Sequence, residues 1–90
     1  MTRIELPEAL RQLTGGAPEI TVEATNVAEA LEQLGRLHPE ACVRILTRGG
    51  RVRPHVNLFV REHDIRSLDG LDTTLEDGDS LLVVPSVAGG

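Results

Sequence analysis

The sequence predicts an α+β domain: a mixed sheet of about five strands with one main helix packed across one face. Three observations carry that prediction. Apolar and polar residues alternate with period two over residues 2–6, 19–24 and 53–60. Between them, Val27, Ala30, Leu31, Leu34 and Leu37 recur at helical spacing, with Glu29, Glu32, Gln33 and Arg36 opposite. Finally, residues 81–84 form an unbroken aliphatic run after Ser80, as expected of a central strand that is apolar on both faces.

The first strand ends at Pro7, with Ile4 and Leu6 facing inward. Residues 7–13 suit a brief helical turn, and Thr14-Gly15-Gly16 a loop. Gly15-Gly16 is no phosphate cradle, because no Gly-Lys-Ser/Thr follows. The 19–24 strand pairs back on the first as a hairpin. Asn26 is placed to cap the helix, and Glu29 three residues later completes a capping box. Gly35 weakens the helix and Pro39 ends it. Residues 41–46 fit either a second helix or a strand, followed by a turn at 47–50. In the strand over 53–60, Val56, Leu58 and Val60 share one face, with His55, Asn57 and Phe59 on the other. A turn at 61–64, a short strand at 65–67 and a loop with inward Leu68 and Leu71 follow. Asp77-Gly78-Asp79 turns the chain into the last strand. The first and last strands are natural parallel partners at the sheet centre, joined by a right-handed crossover. The order strand, strand, helix, strand, short strand, strand is a β-grasp arrangement, as in ubiquitin.

Composition narrows the function classes. Ninety residues form one domain, read as a body over 1–84 and an extended flexible tail over 85–90. The net charge of −5 argues against nucleic acid and favours a partner with a basic surface. Seven acidic residues between Glu62 and Asp79 give the second half an acidic face that would steer such docking. A single cysteine, Cys42, excludes an internal disulfide and suits a reducing compartment. No signal peptide or membrane span is expected, which places the protein in the cytoplasm. All nine cationic side chains are arginine, so no lysine amine on this chain can capture its own activated C-terminus.

The chain closes on Pro85-Ser86-Val87-Ala88-Gly89-Gly90. Pro85 is expected to stop ladder pairing, since it has no backbone N–H. The residues after it are small, and six residues extend to roughly 20 Å at ~3.3–3.6 Å each. Two glycines let the backbone pass a narrow slot, so the terminal carboxylate is accessible to another protein's active site. At neutral pH an α-carboxylate is ionised and unreactive, and must be activated before it can be attacked.

Residues 53–60, Asp64-Ile65-Arg66, the 70–79 stretch and the closing Gly89-Gly90, with Leu6-Pro7 and Leu13-Thr14-Gly15-Gly16 at the start, resemble the MoaD/ThiS family of ubiquitin-like sulfur carriers. The likeness covers nearly the whole chain and is strongest toward carriers of the cysteine-biosynthesis (CysO) type. Arg61-Glu62-His63 departs from the Asn-Gly-Glu common in the family, which leaves the turn type open. The resemblance implies a carrier protein and co-substrate, not an enzyme. A ThiF/MoeB-like adenylating enzyme would use ATP and Mg to activate Gly90. A sulfurtransferase or sulfide source would convert it to a thiocarboxylate, and a sulfur-acceptor synthase would consume the sulfur. The acceptor pathway would be cysteine synthesis from O-phosphoserine or a specialised sulfur-containing metabolite. Gly90 would be the reactive residue, with Ser86, Val87, Ala88 and Gly89 inside the partner. The small subunit of molybdopterin synthase is the nearest alternative, and a ubiquitin-like protein modifier the alternative of another class. No bound cofactor or metal is expected: His38, His55 and His63 lack ligand spacing. Phe59, the only aromatic residue, is expected with His55 and Asn57 in a partner-binding patch on the open sheet face. Cys42 reads as a structural or incidental thiol rather than a persulfide relay.

Overall fold

A computed structural model describes residues 1–85. Strand β1 (Thr2–Glu5) leads through a single helical turn, α1 (Glu8–Arg11), to β2 (Glu19–Val22). Helices α2 (Val27–Leu37) and α3 (Pro39–Ile45) come next, then β3 (Val56–Val60), β4 (His63–Asp64) and β5 (Ser80–Pro85). The sheet order is β2-β1-β5-β3-β4. The first and last strands are therefore the central parallel pair, in register from Arg3↔Ser80 to Glu5↔Leu82, and every other pairing is antiparallel.

One face of the sheet and the inner face of α2 make the core. Ile4, Leu58, Val60, Leu81 and Val83 meet Val27, Ala30, Leu31 and Leu34, all buried, and Ile45 of α3 closes the side. Leu37 does not join them and is 57% exposed. It lies at the edge of the buried stripe, about 20° beyond Ala30, on the last residue of the helix. Asn26 accepts from the Glu29 N–H at 2.8 Å, as a capping residue should. The Glu29 carboxylate reaches one residue further back than a capping box requires, to the Thr25 N–H at 2.8 Å and hydroxyl at 2.7 Å.

Residues 41–46, open in the sequence, are resolved by Pro39. It sits in the first turn of α3, where its missing N–H would have had no helical partner. Gly35 permits the close approach of α2 to α3: a Cβ there would meet Cys42 Sγ at 3.3 Å.

Five sequence expectations are corrected. Arg53 to His55 is a turn, not strand: Val56 N–H donates to Arg53 O at 3.0 Å across Pro54. Residues 65–67 form a 3-10 turn because Asp64 Oδ1 accepts the Arg66 N–H at 2.8 Å and caps it. Leu68 is exposed, whereas Leu71 packs against the core. Strand β5 is central but not apolar on both sides: Leu81 and Val83 are buried, Leu82 is 40% exposed and Val84 half-buried. Pairing also runs through Pro85, opposite Val56. Beyond Leu82, β5 has β3 as its neighbour and no longer β1, so a proline is tolerated there as on an edge.

The turn that departs from the family pattern is a tight one. Val60 pairs with His63, leaving Arg61 and Glu62 as the two loop residues at φ +51° and +69°. Both are left-handed, the conformation for which Asn-Gly is favoured. Arg61 is held by an ion pair to Asp79.

Candidate functional site

Strand β5 is the last element of the described residues. It starts after the Asp77-Gly78-Asp79 turn, where Gly78 takes φ +90° and its N–H donates to Met1 O at 2.9 Å. It is gripped on both sides until Leu82 and reaches Pro85 beside Val56. Residues Ser86, Val87, Ala88, Gly89 and Gly90, on which the reactive end and the threaded segment were placed, lie outside the described residues.

Two surfaces flank this strand. On the open face, Phe59 and Leu82 are direct cross-strand partners. With Val84 they line a shallow depression of about 550 Å³ that Glu5, Arg61 and Asp79 also border. Alternation thus places Phe59 opposite the helix-covered face, half-buried, while Val56, Leu58 and Val60 are buried beneath. Leu82 and Val84 were missed as candidates, because an unbroken aliphatic run hides which residues point outward. Their register against Phe59 is the signal that assigns them.

His55 is not in that depression. The turn before β3 breaks the strand alternation, and His55 lines a separate recess with Leu10, Arg44, Val56, Val83 and Pro85. Arg53 and Val43 border an adjoining hollow with Arg44 and His55. Arg53 Nε donates to Val43 O at 2.7 Å, which fixes the guanidinium stem against the end of α3. Asn57 likewise turns to another task and accepts from Arg66.

The Asp64-Ile65-Arg66 motif is a fold determinant. Ile65 is buried, Asp64 caps the turn, and the Arg66 guanidinium returns to Asp64 at 3.1–3.2 Å. These hydrogen bonds hold the Asp64 carboxyl below its ordinary pKa and raise that of Arg66. The stretch after it clamps the start of α2: Val27 N–H donates to Thr73 O at 3.1 Å and Leu75 N–H to Thr25 O at 2.9 Å.

Cys42 is half-buried, donates to Leu31 O at 3.5 Å, and burial pushes its thiol pKa up. A relay thiol needs the opposite shift. Among the described residues, no group of three His, Cys, Asp or Glu is arranged to hold a metal ion, and no helix is long and apolar enough to cross a membrane.

The ThiS family model matches residues 4–90. The sulfur carrier protein CysO of Mycobacterium tuberculosis is 29% identical over 89 residues, covering 97% of this chain and 96% of the relative. A chain in the Amycolatopsis orientalis BexX/CysO complex superposes with a TM-score of 0.90 at 29% identity, over the full length of both chains. Small archaeal modifier protein 3 of Haloferax volcanii is 47% identical over 45 residues, about half of each chain (50% and 49%).

Proposed function

The chain belongs to the ThiS family, and from that premise we propose that it is a sulfur carrier protein of CysO type whose C-terminal Gly90 carries the sulfur. The observation that carries this reading is the extent of the family match, which runs from the first strand to Gly90 and so includes the terminal Gly-Gly. The fold supports it. Strand β5, paired on both sides as far as Leu82 and with β3 as far as Pro85, leads into the five residues that would carry Gly90 into a partner. Those five span at most about 18 Å at ~3.3–3.6 Å each.

The chemistry belongs to the partner's active site. A Gly90 carboxylate oxygen attacks the α-phosphorus of ATP, and pyrophosphate leaves. Sulfide then attacks the acyl carbon, the C–O bond to AMP breaks, and a thiocarboxylate remains. At the acceptor synthase the thiocarboxylate sulfur attacks an electrophilic carbon of the acceptor, and water then cleaves the acyl bond that joins carrier and product, which returns the carboxylate and releases the sulfur on the acceptor. The carrier contributes an unhindered acyl group and the surfaces that dock it, with Phe59, Leu82 and Val84 as the apolar contact. His55 takes part from the rim of the strand end. The acceptor is an enzyme of cysteine synthesis or of a specialised sulfur-containing metabolite.

The experiment is ATP–pyrophosphate exchange by a ThiF/MoeB-like adenylating enzyme in the presence of this chain. Exchange that needs the carrier and stops when Gly90 is deleted supports the reading. Exchange unaffected by the deletion refutes it. The likeness to a small archaeal modifier protein favours a second reading, in which activated Gly90 is joined to lysines of other proteins. Branched Gly-Gly adducts on those proteins would establish it, and their absence alongside a charged carrier would exclude it.

A further inference from the structure

We infer that the strand end from which the tail departs is a cationic rim, built by Arg44 and Arg53, that docks on a carboxylate-lined mouth of the enzyme that takes up Gly90. The inference rests on the function proposed above.

No aspartate or glutamate occurs between Glu40 and Glu62, whereas Arg44, Arg48, Arg51, Arg53 and Arg61 do. Among the described residues, Arg36, Arg61 and Arg66 are each paired to a carboxylate, but Arg44 and Arg53 are not. Arg44 shares a recess with Pro85, and Arg44 and Arg53 border the hollow next to it. The anchored stem of Arg53 presents its charge without the full entropy cost of ordering a free side chain.

The acidic turns lie at the other end of the same strand. Asp77 and Asp79 precede Ser80, and Val60, two residues before Glu62, pairs with Leu81. Five strand steps to Pro85 separate them from the rim by about 17 Å, roughly twice the screening length at physiological salt. Net charge alone points to a basic partner, but the reach of five residues decides otherwise. An active site within about 18 Å of Pro85 brings its entrance to the strand end, where Arg44 lines a recess with Pro85 and Arg53 the hollow beside it. Two guanidiniums there, with no carboxylate partner among the described residues, select carboxylates and repel a basic entrance.

The test is the rate at which a ThiF/MoeB-like enzyme charges the parent chain and its variants at low salt and subsaturating carrier. Arg44→Glu should slow charging about tenfold, and Arg53→Gln, which spares the core, several-fold, with the effect shrinking as salt rises. Arg36→Glu on the outer face of α2, which matches the change in net charge, and Asp77→Arg at the far turn should each stay within about twofold of the parent. Circular dichroism checks that each variant folds. Unchanged charging of Arg44→Glu, equal slowing by Arg36→Glu, or slowing by Asp77→Arg would each overturn the rim. Failure of the enzyme to charge even the parent would count instead against the proposed function.

Discussion

Replacing Glu62 with glycine should stabilise the domain. Glu62 is exposed and sits at φ +69°, where a side chain costs about 1–2 kcal/mol relative to the right-handed region. Glycine removes that cost but loosens the unfolded chain, which offsets roughly 0.4–1 kcal/mol. The net gain is about 0.5–1 kcal/mol, or some 3–6 °C in Tm for a domain of this size. Arg61 lies at φ +51° in the same turn, but its guanidinium is tied to Asp79, so Arg61→Gly gives up that contact and should gain less. Thermal melts and urea titrations followed by circular dichroism read the difference directly. A Glu62→Gly variant less stable than the parent would refute the assignment of left-handed strain to this hairpin.

Other consequences follow from the same geometry. Gly35→Ala adds helix propensity of about 1 kcal/mol but crowds Cys42 Sγ, so the substitution should be more favourable by about 0.5–1 kcal/mol in a Cys42→Ala background; additive urea midpoints would contradict that contact. The Glu29 carboxyl lies below its ordinary pKa because the Thr25 hydroxyl and N–H donate to it. Its contribution is therefore present above the unfolded value near 4.5 and lost as pH falls through the lower folded value, so Glu29→Gln should flatten acid unfolding in that window; an unchanged profile would dismiss the bonds. Phe59→Ala and Leu82→Asp should leave the fold intact and weaken binding to the adenylating enzyme about tenfold or more, measured by calorimetry, and wild-type affinity would remove the open face from the interface.

Much of the fold was legible because its signals are local and periodic. Val27, Ala30, Leu31 and Leu34 mark the α2 stripe, Asn26 its start, and Val56, Leu58 and Val60 one sheet face. The central pairing of first and last strands followed from strand order. What escaped depends on contacts remote in sequence. The outward faces of Leu82 and Val84 are fixed by register against β3, which no property of an aliphatic run encodes. Residues 65–67 turn because the Asp64 carboxylate bonds the chain two residues on, a competition with strand pairing that composition does not decide. His55 leaves the company of Phe59 because Pro54 interrupts the strand between the end of α3 and β3. The reactive end was read from Gly89-Gly90 and the family likeness, and lies outside the described residues.

The most direct measurement is the intact mass of the carrier after incubation with a ThiF/MoeB-like enzyme, ATP and sulfide. A shift equal to one sulfur for one oxygen, localised to the last residue by fragmentation and reversed by a sulfur-acceptor synthase, is the predicted result. The same shift in a chain lacking Gly90, or none in an intact chain that the enzyme demonstrably adenylates, would contradict a thiocarboxylate at Gly90.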